Sequence, residues 1–148
     1  MAANSRFAMA THIMLELGIT PEGELKSSFQ LASGANTNPV VIRRILSELQ
    51  KAGLVSTASG KSGGARVAKK TSTISLYDIY AAVDDGSLFA HNPNDPNKKC
   101  ELSCQMAELL NPIFSSAATA LERELSAHKL SRLIELVKAK CPSRAKAR

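Results

Sequence analysis

The chain contains no tryptophan, and two tyrosines and four phenylalanines make aromatics only 4% of its 148 residues. That is too few rings for an aromatic-rich carbohydrate site or a base-stacking platform. Three cysteines are present, an odd number that does not make a disulfide framework. No uninterrupted apolar run approaches the roughly 18 residues of a membrane helix. Residues 1–17 carry Asn4, Arg6, His12 and Glu16 and no A-x-A pattern, so no export signal is read there and the cytoplasm is the expected location. No Ser–His–Asp set stands out. The local carboxylate pair Asp84-Asp85 sits at a helix end without a catalytic partner, so no enzyme is expected.

The remainder has the composition of a globular domain, 44% hydrophobic and 22% charged. Area scaling for this size leaves about 7,300 Å² exposed of roughly 23,000 Å² in the unfolded chain, so a real core is within reach. The net charge of +6 is unevenly spread. Residues 1–70 hold nine Lys/Arg against four Asp/Glu, residues 71–137 five against nine, and residues 138–148 five against none. A basic front half suits a polyanion such as double-stranded DNA.

Apolar spacing predicts a helix over Ser5–Leu17, capped by Asn4 or Ser5, and a short one over Glu24–Ser33 whose apolar residues include Phe29. A third helix opens at Asn38-Pro39, with Asn38 as N-cap and Pro39 at the first helical position. Ile42, Ile45, Leu46 and Leu49 form its inner face. Val40, Arg43, Arg44, Ser47 and Lys51 lie outward, and Gly53 ends it. A hairpin with a Gly-rich basic tip follows over 54–68. Then come a short helix capped by Ser75, a loop over 84–99, and a long helical stretch over 100–126 that Pro112 kinks or restarts. The last helix spans Leu130–Lys140 and precedes a basic tail. The fold class is mainly α with a small β-hairpin, in the order of a winged helix-turn-helix. In that arrangement a capped helix enters the major groove and its first turn reaches base edges. Arg43 and Arg44 suit bidentate contacts to phosphate or guanine, and Lys61 and Arg66 suit a wing entering the minor groove. The glycines join two strands, so a nucleotide-binding phosphate loop, which needs a strand and a helix, is disfavoured.

These residues also resemble a family. Ser5-Arg6-Phe7-Ala8 with His12, Asn38-Pro39-Val40-Val41-Ile42-Arg43-Arg44-Ile45-Leu46, Ala52-Gly53-Leu54-Val55, Gly60-x-x-Gly63-Gly64, and Ile74-x-Leu76-x-Asp78-Ile79-Tyr80-x-Ala82-Val83 are similar to the Rrf family of bacterial winged-helix regulators. The resemblance runs from about residue 4 to 137. It implies a homodimeric DNA-binding transcriptional regulator, a repressor, with a long C-terminal dimerisation helix. It implies contact with a near-palindromic operator through Asn38, Pro39, Val40, Arg43 and Arg44 on the third helix and Ser59, Lys61, Gly63 and Gly64 on the wing. Arg66 rests on charge alone. Val40 either meets a thymine methyl or packs. The implied division is a DNA-binding domain over 1–83, a cysteine loop over 84–103, dimerisation helices over 104–140 and a tail over 141–148.

Cluster-binding members of that family carry three cysteines in the loop before the dimer helix. Here the loop holds Cys100 and Cys104 alone, Cys141 lies far downstream, and His91 is off the family's histidine position. The segment His91–Cys100 and the run Leu110-Asn111-Pro112-Ile113 look more like the YwnA-type, cluster-free branch. An iron–sulfur cluster, whose preferred ligands are soft thiolates, is therefore disfavoured and no cofactor is expected. Cys100 and Cys104, one helical turn apart, are candidate redox residues: oxidation of Cys100 to a disulfide with Cys104 or a partner subunit is a reversible switch. Alternatively Cys104 is a small apolar packing residue. His12 reads as packing and His128 as an exposed linker residue. A winged-helix protein-interaction module without sequence-specific DNA binding is the alternative function. No small-molecule effector is identifiable from the residues.

Overall fold

A computed structural model describes residues 3–84, 88–89 and 93–141. Helix α1 spans Ala3–Ile19, longer at both ends than the apolar stripe alone predicts. Its Ala10, Ile13, Met14 and Leu17 are buried. Helix α2 is Ser28–Gly34, shorter than expected from sequence. The cause is non-local: Lys26 is extended and pairs with Ala65 through N–H···O bonds of 3.0 and 2.9 Å. The helix begins only after that pairing, at a capping box in which Ser27 accepts from the Gln30 amide and Gln30 accepts from the Ser27 amide.

Helix α3, Pro39–Lys51, buries Ile42, Ile45, Leu46 and Leu49, the face read from sequence. Strands β1 (Val55–Ala58) and β2 (Gly64–Val67) pair antiparallel with Val55 opposite Val67 and Ala58 opposite Gly64. A 3-10 turn over Thr71–Thr73 leads to α4, Leu76–Val83. Helix α5, Glu101–Ala127, runs continuously through Pro112 and so neither stops nor restarts there. Its start at Glu101 and end at Ala127 fall within a residue of the helical stretch read over 100–126.

Helix α6, Leu130–Lys140, turns back on the body. Ser75 and Lys129 form an antiparallel bridge, the Leu76 amide donates to the His128 carbonyl at 2.9 Å, and the Leu130 amide donates to the Ile74 carbonyl at 2.8 Å. Leu130 and Ile134 are buried in the same core as α1 and α3. The sequence grouped α6 with dimerisation; the fold seats it on α1. Among the described residues no helix is long and apolar enough to cross a membrane. Asp85, His91 and the tail from Pro142 lie outside the described residues.

Candidate nucleic-acid interface

Two local devices aim α3. At its start the Asn38 side chain accepts from the Val40 amide at 2.8 Å, and Pro39 has no amide to leave unsatisfied. At its end Gly53 adopts φ +69. Its amide donates to Gln50 (2.9 Å) and the Leu54 amide to Leu49 (2.9 Å), and Leu49 and Leu54 pack beside the turn. The helix therefore has fixed ends, and the chain passes directly into β1. Val40, Arg43, Arg44 and Ser47 are all exposed on its outer side. Val40 is 55% exposed, which rules out the packing reading within this chain. The Arg43 Nε donates to the Pro39 carbonyl at 3.2 Å, holding the guanidinium along the first turn.

The wing tip carries Ser59 and Lys61, both exposed. Gly60 takes φ +105, and the Gly63 amide closes the loop on the Gly60 carbonyl at 3.0 Å. Gly63 and Gly64, expected from sequence to let the backbone approach DNA, have an internal reason to be glycine. A Cβ on Gly63 would overlap the Ala58 carbonyl, and one on Gly64 would sit 2.7 Å from the Lys26 carbonyl oxygen.

A cleft of about 370 Å³ opens between α2, α3 and the wing. Its lining includes Lys26, Phe29, Arg43, Thr57 and Lys61, and no acidic residue. Lys26 also lies 3.8 Å from Glu16. Thr57 donates to Gln50, tying the strand to α3 at 2.9 Å. Arg43 and Lys61 are thus brought together. Asn38, Pro39, Val40 and Arg44 share α3 with Arg43 but do not line this cleft, and neither does Ser59. Arg66 does not join them: its Nε donates to Ser56 at 3.2 Å and it lines a different cleft of about 950 Å³ with Lys69, Lys70, Glu22 and Glu24. The hairpin's alternation puts Arg66 out of phase with the buried Ala65. Phe29, read from sequence only as an apolar helix residue, is 70% exposed beside Arg43. Recognising Ser27 as the cap would have revealed it, because the buried face of so short a helix is Leu31 and Ala32.

Behind the interface, Arg6 pairs with Glu48 and joins α1 to α3. Burial by itself raises Asp78, but hydrogen bonds from the Ser75 amide and hydroxyl, with the charges of Lys129 and Lys69, outweigh it and hold the carboxyl below its usual range. Nε2 of His12 is buried without a hydrogen-bond partner, and His128 pairs with Glu124 at 3.1 Å on the surface.

Cys100 caps α5 and its carbonyl accepts from the Cys104 amide at 3.2 Å. Both thiols, and that of Cys141 at the end of α6, are free and exposed, so Cys104 is not a packing residue within this chain.

The family model Rrf2, described as an iron-dependent transcriptional regulator, matches residues 3–136. The chain is 39% identical over 128 residues to YwnA of Bacillus subtilis (strain 168), a candidate HTH-type transcriptional regulator, covering 86% of this chain and 92% of that one. A solved structure of a candidate DNA-binding protein is 34% identical with a TM-score of 0.66, covering 87% of this chain and 98% of that chain. A candidate transcriptional regulator from Lactobacillus plantarum shares the fold with a TM-score of 0.76 at 22% identity, covering 94% and 92%. The family and YwnA are described as transcriptional regulators, not as enzymes.

The donor set does not fit the iron of the family description within one chain. A cluster wants several thiolates around one centre. The α5 end offers two, and among the described residues no group of three or more His, Cys, Asp or Glu converges on a metal-sized space.

Proposed function

The chain belongs to the Rrf2 family of DNA-binding transcriptional regulators, and from that premise we propose that it acts as a homodimer on a near-palindromic operator, in the cytoplasm. The N-terminal turn of α3 enters the major groove and the wing tracks the adjacent backbone. The observation that carries this reading is the meeting of Arg43 and Lys61 in one acid-free cleft. A basic concavity with a helix beginning beside it has the charge for phosphate and the shape for a groove.

The second subunit is called for by α5. None of its 27 residues is buried. Leu102, Met106, Leu109 and Ile113 are exposed at spacings of four, three and four, the seam of a coiled coil. In this reading residues 1–83 with α6 form the DNA-binding unit, residues 84–103 form the connection that holds Cys100, and α5, with Cys104 in its first turn, carries the dimer. Half-sites then lie about one helical turn, 34 Å, apart.

The test is operator selection followed by Arg43→Ala and Arg44→Ala. Loss of an arginine that reads a base lowers affinity by about 1–3 kcal/mol, and loss of one that touches phosphate flattens the salt dependence. Wild-type affinity in both variants would remove α3 from the interface.

Regulation is placed at the exposed thiols. Hydrogen peroxide takes two electrons from a thiol pair, giving a disulfide and two waters. Cys100 with Cys104, or with a thiol of the partner subunit, is the pair. Peroxide is expected to change operator affinity in wild type and not in Cys100→Ser, with dithiothreitol reversing the change. An equal response in both proteins would assign regulation elsewhere.

A further inference from the structure

We propose that Phe29 reads sequence, by packing its ring on the C5-methyl group of a thymine at a fixed position in each half-site. This rests on the DNA-facing reading of α3 and the wing and adds to it a residue and a base preference.

Three observations converge on Phe29. The first is its isolation. The chain has six aromatic residues, and five of them engage one another. Phe7 meets Tyr80 edge-on at 5.5 Å, Tyr77 lies 6.2 Å from Tyr80, and Phe89 stacks on Phe114 at 4.7 Å. Phe29 makes no ring contact among the described residues. The second is its exposure: the ring is 70% in solvent on a helix that buries Leu31 and Ala32 instead. The third is its company. It lines the acid-free cleft with Arg43 and Lys61.

One exposed phenylalanine on a surface is ordinary. One that shares a cleft with the two cations assigned to DNA is in a position to read it. A neutral ring gains nothing from phosphate charge. In the major groove the prominent apolar group is the thymine methyl, which sits on one strand of an A·T pair and so reports its orientation. An apolar protein partner would lack the negative charge that Arg43 and Lys61 ask for, so charge complementarity selects DNA.

The experiment starts from duplexes that the wild-type full chain selects from a random pool. Each thymine is replaced in turn by deoxyuridine, which removes the methyl and leaves base pairing intact. Affinities are measured by fluorescence anisotropy for wild type, Phe29→Ala, Phe29→Leu and Val40→Ala. In wild type one symmetry-related thymine pair is expected to stand out, with about fourfold weaker binding for each methyl removed, the value of one buried methyl. Phe29→Ala, whose melting temperature should match wild type because the ring is exposed, is expected to bind the thymine and uracil duplexes equally. Phe29→Leu is expected to keep part of the discrimination. Full discrimination in Phe29→Ala, or its loss in Val40→Ala instead, overturns the assignment. So does an equal loss of affinity on both duplexes in Phe29→Ala, which would place the ring against sugar or backbone. A selection that enriches Arg43-dependent duplexes indifferent to every methyl overturns the role of Phe29 alone. A selection that enriches nothing overturns the DNA reading and this inference with it.

Discussion

Replacing Gly64 with alanine probes how the wing is held. The new Cβ would lie 2.7 Å from the Lys26 carbonyl oxygen, 2.8 Å from its carbon and 3.0 Å from the Leu25 Cβ. Comfortable contact is at about 3.5 Å, so the strands must separate by roughly 0.5–1 Å. The two nearest atoms are backbone, and no side chain can swing aside to make room. Either the overlap is retained or the paired Lys26–Ala65 bonds of 3.0 and 2.9 Å are lost. The first route is overpacking at about 1–3 kcal/mol. The second removes two hydrogen bonds worth about 1 kcal/mol each. Both give about 2 kcal/mol, which for this chain length lowers Tm by about 4–8 °C. Differential scanning calorimetry reads it directly. Gly23→Ala is the control: its φ is +88, but no atom lies within 4 Å of the added carbon. That variant carries backbone strain alone, about 1 kcal/mol, with no atom of the wing pushed aside. Operator affinity should fall in Gly64→Ala and hold in Gly23→Ala. A Gly64→Ala protein with wild-type Tm and wild-type affinity would refute the claim that the Lys26 pairing holds the wing.

Two more outcomes follow from the fold. Leu109→Glu with Ile113→Glu places four carboxylates in a two-fold seam, so sedimentation is expected to show monomers that remain folded. Unchanged dimers would move the interface off this stripe. Asp78 is depressed, so its contribution to stability is complete above the ordinary carboxylate pKa of about 3.9 and is lost as pH falls through the lower folded value. Urea midpoints compared between neutral and acid pH should therefore converge for wild type and Asp78→Ala at the acid end. A constant gap would show that the carboxylate charge is not what holds the α4 cap.

Residues whose structure is decided locally were legible in the sequence. Asn38-Pro39, the spacing of Ile42, Ile45, Leu46 and Leu49, and Gly53 specify α3 completely, because capping, periodicity and the left-handed turn all act within a few residues. Ser75 with Asp78 specified α4 in the same way. Misreadings arose where a distant segment decides. Leu25 and Lys26 carry no signal that Ala65 will claim their backbone, so the local pattern alone extends α2 back to Glu24. Pro112 removes one amide from α5, but 26 other residues sustain the helix, so it does not break. Leu130 and Ile134 announced an apolar face without saying that α1 would be its partner. At the site, charge singled out Arg43 and Lys61, which the fold brings to one cleft, but it could not separate them from Arg66, whose strand phase turns it toward Lys69 and Lys70.

The pairing of Ser75 with Lys129 gives α5 the mechanics of a lever. A helix of 27 residues is about 40 Å long. Its C-terminal end is fastened at that pairing, and Ala118 and Leu121 lie against α4, while Cys100 and Cys104 occupy the opposite tip. A tilt of only about 3° about the fastened end carries the tip through about 2 Å, taking that length as the arm. Read in reverse, a covalent bond that draws the tips together by a few ångströms delivers a small, forceful rotation at the α4 cap. From there the chain is eight residues from the last residue of β2.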